Sequence, residues 1–279
     1  MVARIRTGLV GADLPGILMY QAYWGLKHSP FASATQRCDL TASPVHAEAL
    51  ARLDFLRESR CPFGLLLGSS GSGKSIVLTT FAARAQRDGA LVALVNAAAS
   101  DELAFLVPLA IGLQIEVEND AGHLWRRLLD RLEELKLECL TGVLLLDDLD
   151  RAGPSVLAIV ERLLGRADAP LTIVAAARHE TAARIGARLL DQTGLRIDLS
   201  PWSEAETRDY LNTTLTNAGR LQPAFNDAAT RRLFELSGGA PRKVNQLAQL
   251  ALVAGAGQKL LQIDQGTVEA VQDELSVAR

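Results

Sequence analysis

Cysteine is scarce in this chain. Cys38, Cys61 and Cys139 are odd in number and widely spaced along 279 residues. That pattern excludes a disulfide-stapled fold and offers no zinc-binding spacing, so reduced thiols in a cytoplasmic protein are expected. Histidine is as thin: His28, His46, His123 and His179 are scattered, and no metal site is expected from them. Neither sign of charge dominates, with 29 Lys and Arg against 32 Asp and Glu and a net charge of −3. A generally basic nucleic-acid surface is thereby excluded, although a local patch is not. Long hydrophobic runs are missing too. The longest, Leu103 to Leu113, falls short of the roughly 20 residues a bilayer span needs. Arg4 and Arg6 precede a few apolar residues, but Asp13 and Pro15 interrupt them, and no secretory signal is expected. Tandem repeats and low-complexity segments are also absent.

Apolar residues make up 48% of the chain, enough for the core of one large domain or of one domain with a small companion. The stretch that organises it is Gly68-Ser69-Ser70-Gly71-Ser72-Gly73-Lys74-Ser75, a fit to the phosphate-binding P-loop Gly-x-x-x-x-Gly-Lys-Ser/Thr. Phe63 to Leu67 before it reads as a buried strand, and Ile76 to Arg87 after it as a helix ending before Asp88-Gly89. A strand, a glycine-rich turn and a helix start gather backbone N–H groups and partial positive charge around one point. Gly68, Ser69, Ser70, Gly71, Ser72, Gly73, Lys74, Ser75 and Ile76 are therefore the candidate nucleotide cradle. Lys74 is expected to reach the β- and γ-phosphates of ATP, and the Ser75 hydroxyl to ligate Mg²⁺.

The rest of the chain supplies a setting for this loop. Met1 to Leu18 show little periodicity and are expected to be loosely ordered. Aromatic residues between Met19 and Phe31 read as a satellite core that anchors the N-terminus. Ser43-Pro44 opens a helix with its apolar stripe at Ala47, Leu50, Leu53 and Leu56. Further strands are expected at Leu91 to Val95, Val143 to Leu146, Leu171 to Ala176 and Leu195 to Leu199. Between them lie helices at Asp101 to Ile111 with a bend at Pro108, Ala121 to Glu138, Ser155 to Leu164 and His179 to Leu190. Trp125 is read as a packing residue. This alternation predicts an α/β fold with a mostly parallel sheet covered on both faces, whose ligands bind beyond the carboxyl ends of the strands. From Pro201 only helices follow: Glu204 to Asn217, Asp227 to Ser237, Pro241 to Ala254 and Asp264 to Leu275. Gly238-Gly239 and Gly255-Ala256-Gly257 are read as their separators. The expected division is 1–45 as extension and aromatic anchor, 46–200 as P-loop core, and 201–279 as α-helical lid.

Asp147 ends the apolar run Val143-Leu144-Leu145-Leu146, the Walker B arrangement that places a carboxylate on the Mg²⁺ shell. Asp148 stands where many ATPases carry a glutamate that polarises the attacking water. Asp150 can assist the site or cap a turn, and the turn is the favoured reading. Arg178 after the fourth strand can sense the γ-phosphate or lie solvated at a helix start; the two readings weigh equally. Arg242, opening a lid helix, can reach back to the phosphates. Arg184, Arg188 and Arg196 are candidates for an arginine finger acting on a neighbour's ATP. The candidate catalytic set is Asp148, Lys74, Arg178, Arg242 and Arg188, with Ser75 and Asp147 for the metal and Arg242 added to the cofactor contacts.

Assembled, these residues resemble the AAA+ ATPases of the general secretion pathway protein A (ExeA-type) family over roughly Met19 to Leu275. The opening Met19-Tyr20 … Tyr23-Trp24-Gly25-Leu26 … Pro30-Phe31 is similar to that family's start. So are Ser43-Pro44-x-His46-x-Glu48-Ala49-Leu50 and the sensor-2 sequence Gly239-Ala240-Pro241-Arg242-Lys243-Val244-Asn245-Gln246-Leu247. The resemblance implies a P-loop NTPase core with a helical lid, ATP and Mg²⁺ as cofactors, and a Mg-dependent ATPase, whose basal rate is expected to be slow because Asp148 is one methylene shorter than the usual glutamate. It also implies self-association into a ring or filament, with a hexamer as the candidate ring, and an unidentified, membrane-bound protein partner in secretion or envelope assembly. The protein is then cytoplasmic and peripheral to the inner membrane, without direct membrane insertion. The chain departs from the family pattern in three places: Asp148 for a Walker B glutamate, Arg178 for a common glutamine, and Gln192 near the usual arginine before the fifth strand. Family members often continue into a transmembrane helix and a cell-wall-binding domain, whereas this chain stops after the lid. Two other functions compete: a DNA-binding, transposition-type AAA+ regulator, with DNA the less favoured partner, and an ATP-dependent scaffold with little turnover.

Overall fold

The computed structural model describes residues 14–31, 43–98, 101–166 and 168–277. Cys38, most of the N-terminal extension and Thr41-Ala42 before the first core helix lie outside them. Two compact units form, Leu40–Pro201 and a discontinuous one of Met1–Asp39 with Trp202–Arg279.

The Leu40–Pro201 unit is built on five parallel strands, β1 (Phe63–Gly68), β2 (Leu91–Asn96), β3 (Gly142–Asp147), β4 (Leu171–Ala177) and β5 (Leu195–Leu199), in the order β2-β3-β4-β1-β5. β1, β3 and β4 are buried along nearly their whole length, which is why they read as unbroken apolar runs. Alternate residues serve opposite faces. Leu65, Leu67, Leu144, Leu146, Ile173 and Ala175 meet side chains of α4 (Glu102–Gly112), α5 (Ala121–Leu137) and α6 (Pro154–Leu164). Leu66, Val143, Leu145, Val174, Ala176 and Ile197 meet α2 (Pro44–Glu58) and α3 (Lys74–Arg87). Pro108 lies within α4. Trp125 packs on the core edge with the Arg162 guanidinium 4.0 Å from its ring centre. One expected helix differs: 179–190 divides into a 3-10 segment, His179–Ile185, and the short α7, Ala187–Asp191. Gly186 between them has φ 94°, which no continuous helix accommodates.

The other unit is helical: α1 (Leu14–Trp24), α8 (Glu204–Asn217), α9 (Asp227–Ser237), α10 (Pro241–Gly257) and α11 (Gln265–Val277). Residues 14–18, expected to be loose, form the start of α1. The aromatics of α1 dock within this unit. Trp24 is buried and donates its indole N–H to the Leu252 carbonyl at 2.7 Å, while the Tyr23 hydroxyl reaches the Leu260 carbonyl at 2.8 Å. Gly255-Ala256-Gly257, expected to follow a helix ending at Ala254, instead forms the last residues of α10, which ends at Gly257. Gly255 is there for close approach: a Cβ on it would meet the Trp24 ring at 3.0 Å and Ile263 at 3.1 Å.

Candidate nucleotide-binding site

β1 delivers Gly68 to the end of a strand flanked by the central β4 and the edge strand β5. The loop after it is drawn tight. A Cβ on Gly68 would sit 2.4 Å from the Ser72 hydroxyl and 3.2 Å from the Leu199 Cβ, and Gly71 and Gly73 have φ of 81° and 99°. Helices α4, α5, α8 and α9 begin with side-chain caps, but α3 begins on Gly73 with none. The N–H groups of Lys74 and Ser75 at its start have no partner inside the helix, whereas the Ile76 N–H already bonds the Gly73 carbonyl at 3.0 Å. Lys74 is buried, and its Nζ donates to the carbonyls of Gly68 at 2.8 Å and Ser69 at 2.9 Å. Burial lowers its pKa; Asp147, Asp148, Asp150 and Glu180 act the other way through their charge. The Ser72 hydroxyl is buried with no hydrogen-bond partner among the described residues. A glycine-lined loop, an uncapped helix start and an enclosed ammonium fit a polyphosphate. Ser69, Ser70, Ser75 and Ile76 lie along the more open side of the loop, Ser70 and Ser75 exposed.

β3 carries Asp147 to the same edge of the sheet, level with Asn96 of β2. Asp147 Oδ1 accepts the Asp148 N–H at 3.0 Å. Asp148 turns the chain with φ 54° and ψ 39°, a left-handed conformation that aspartate tolerates better than most residues. Its carboxylate stands 3.7 Å from Arg151. Asp150, in the 3-10 turn Leu149–Arg151, is more than the turn residue the sequence suggested: it is buried and bonded across to the turn after β4. Arg178 Nε donates to Asp150 Oδ2 at 2.9 Å, and the Thr181 hydroxyl donates to the same oxygen. Burial pushes the Asp150 carboxyl up, but the Thr181 and Arg178 hydrogen bonds and the Arg178 charge outweigh it and hold the group below the usual range.

β4 lies between β1 and β3, so Arg178 emerges between the P-loop and Asp147. Neighbouring strands are about 4.8 Å apart, which puts Lys74, Asp147, Asp148 and Arg178 on one edge of the sheet. The three finger candidates differ. Arg196 is forked onto Asp198, with Nε and a terminal nitrogen each within 3.0 Å of an oxygen, and His179 holds the same carboxylate at 2.8 Å. Arg188 is 84% exposed and 3.7 Å from Glu161. Arg184 is exposed on the 3-10 segment. Arg242, in the helical unit, is exposed on the first turn of α10. Gly239 in the same sequence has φ 70°, and a Cβ on it would overlap the Trp202 carbonyl oxygen at 2.1 Å. Asn245 Oδ1 accepts the Tyr210 hydroxyl at 2.8 Å.

Two residues escaped the sequence reading as parts of the site. His46, on α2, is buried with Nε2 2.9 Å from the Ser72 carbonyl, so α2 braces the P-loop from behind. Thr181 joins the Asp150 cluster. Only the motif-like spacing around His46 could have drawn attention to it. Among the described residues no group of three or more His, Cys, Asp or Glu could hold a metal ion.

The sequence model of an AAA domain family matches residues 57–185, from the end of α2 through the 3-10 segment after β4. General secretion pathway protein A of Aeromonas hydrophila is 28% identical over 273 residues, covering 94% of this chain and 49% of its own length. The chain thus spans about half of that curated relative. Among solved structures, Cdc6p from Pyrobaculum aerophilum superposes with a TM-score of 0.69 at 18% identity, over 88% of this chain and 70% of that one. Drosophila ORC bound to DNA gives 0.67 at 16% identity over 99% and 70%, and the Thermotoga maritima RuvB branch migration motor 0.57 at 16% over 82% and 68%. These likenesses concern the fold. Strand order, P-loop and the match over residues 57–185 together show the P-loop NTPase fold of AAA-type proteins, and the chain is similar over nearly its whole length to general secretion pathway protein A.

Proposed function

We propose that the protein binds and hydrolyses ATP with Mg²⁺ and works as an oligomeric switch or motor in a secretion or envelope assembly. The observation that carries this reading is the edge of the sheet where a buried lysine on an uncapped helix start faces two strand-end carboxylates. Lys74 and the loop N–H groups hold the polyphosphate, and Ser75 and Asp147 hold the cation. Mg²⁺ held there would supply charge neutralisation to the polyphosphate. Asp148 orients the attacking water. Arg178 meets the outer phosphate, Arg242 reports the nucleotide state to the helical unit, and Arg188 serves a neighbouring subunit. The link to secretion rests on the relative's name and covers only about half of that relative. No helix among the described residues is long and apolar enough to cross a membrane. In this reading the protein meets the inner membrane through a partner protein.

Lys74→Ala tests the core of the proposal. Removing the buried ammonium takes away a charge-assisted contact, so ATP affinity should fall by at least about tenfold, given 1.5–3 kcal/mol for such bonds. Titration of the folded variant with a fluorescent ATP analogue reads this, and unchanged affinity overturns the assignment. Salt-titrated DNA binding with and without ATP separates the motor from a DNA-loading regulator, whose affinity would fall steeply with salt and depend on nucleotide.

A further inference from the structure

Lys74 and Asp150 are the two buried side chains among the described residues that carry a charge at neutral pH. The P-loop accounts for the first. A carboxylate removed from water is costly unless it is paired and hydrogen-bonded, so the partners of Asp150 indicate what it is for. They are Arg178 and Thr181, both in the turn that follows β4, while Asp150 itself follows β3.

The manner of the Arg178 contact is informative. A clamp serving stability alone would fork two guanidinium nitrogens onto the carboxylate and bury the pair. Here the carboxylate takes the Nε edge, the Arg178 side chain remains 34% exposed, and its terminal nitrogens make no hydrogen bond among the described residues. The backbone fixes where those nitrogens emerge. Ala177, just before Arg178, pairs with Leu67, just before Gly68, and β4 separates the P-loop strand from the strand of Asp147. The held arginine therefore stands between the residue set for phosphate and the residue set for the cation, where the outermost phosphate of a triphosphate would lie.

We infer that Asp150 is a positioning residue that holds Arg178 by its Nε so that the terminal nitrogens meet the γ-phosphate, and that this pair makes the site prefer ATP over ADP. This rests on the nucleotide reading of the site. Thr181 fixes the carboxylate that fixes the arginine. The γ-phosphate is the part that ADP lacks, so the pair acts on ATP affinity and leaves ADP affinity nearly alone.

The test is equilibrium titration with a non-hydrolysable ATP analogue and with ADP, each with Mg²⁺, on the full chain and on Asp150→Asn, Arg178→Gln, Arg178→Lys and the Asp150→Asn/Arg178→Gln double variant. Each single variant should lose about tenfold of the ATP-over-ADP preference while ADP affinity stays within about twofold, the size expected for one charge-assisted bond. The double variant should lose no more than Arg178→Gln, because the two residues act as one unit. Arg178→Lys keeps the charge on a more exposed side chain and remains informative if Asp150→Asn fails to fold. It should behave like Arg178→Gln, since one ammonium cannot be held by Asp150 and also present a fork. Full preference in Arg178→Lys or in folded Asp150→Asn overturns the inference, as does additive loss in the double variant. A parent that binds neither nucleotide would instead overturn the nucleotide reading and this inference with it.

Discussion

Asp148 sets the rate in the proposed chemistry, and its backbone constrains which replacements inform. Phosphoryl transfer asks the protein mainly to position reactants and stabilise charge. Aspartate is one methylene shorter than the glutamate it replaces, a withdrawal of about 1.5 Å. Misplacement on the order of 1 Å can cost about 10²-fold in rate. Slow basal hydrolysis is the expectation. Asp148→Asn keeps the size and the tolerance for φ 54°, so it should fold and bind ATP yet stop turnover. Asp148→Glu restores reach, but a longer side chain in left-handed backbone costs about 1 kcal/mol. Its basal rate should therefore rise while its melting temperature falls by a few degrees. Steady-state phosphate release and thermal unfolding read both. Asp148→Asn at the parental rate would move the catalytic role elsewhere.

At the scale of elements, α2 and the P-loop are tied by the 2.9 Å contact between His46 Nε2 and the Ser72 carbonyl. A carbonyl only accepts, so Nε2 carries the proton. Burial lowers the His46 pKa below its ordinary 6.5, with the Ser72 bond partly opposing it. As pH falls through 6.5, the unfolded chain binds its proton first. Stability from this residue is thus complete above pH 6.5 and is lost towards the folded-state pKa. His46→Gln keeps a donor for the same carbonyl and does not titrate. Its melting temperature should vary less between pH 7 and pH 5 than the parent's, while His46→Ala should lose about 1–3 kcal/mol outright. Identical pH slopes in His46→Gln and parent would remove His46 as the source. This contact also marks the limit of what the sequence disclosed. β1 and β3 were legible because their apolar runs end on Gly68 and Asp147, and the P-loop because eight adjacent residues suffice. His46 was silent because its partner is a main-chain oxygen 26 positions away. Asp150 read as a turn residue because the buried pair spans 28 positions. Gly255 was placed just past the helix rather than in the last turn of α10 because only the docked Trp24 ring explains it, and Gly186 was overlooked inside an otherwise helical pattern.

At the scale of the whole molecule, the chain begins in one unit, builds the α/β unit and returns to the first, so its parts are not a linear string of modules. Within the α/β unit the chain supplies a phosphate loop, two strand-end carboxylates and Arg178. In the oligomeric reading a neighbour adds one more cation, and local contacts rank the candidates. Arg196 is committed to Asp198 by a two-nitrogen fork. Arg188, 84% exposed, is 3.7 Å from Glu161, a pair of a kind worth about 0–1 kcal/mol and easily released. If Arg188 acts in trans, Arg188→Ala should bind ATP normally and hydrolyse it about 10³-fold slower than the parent, the low end for a lost arginine finger. Lys74→Ala should be inactive but still offer an intact Arg188 to its neighbour. Mixed in equal amounts, two inactive proteins should then regain activity. Random assembly pairs half of the intact sites with an intact finger, giving roughly a quarter of the parental rate per subunit in a head-to-tail ring. Phosphate release from the mixture measures it, with Arg184→Ala in place of Arg188→Ala as the comparison. A mixture no faster than its components would exclude Arg188 as a residue acting on its neighbour, and recovery with Arg184→Ala instead would assign the finger to the 3-10 segment.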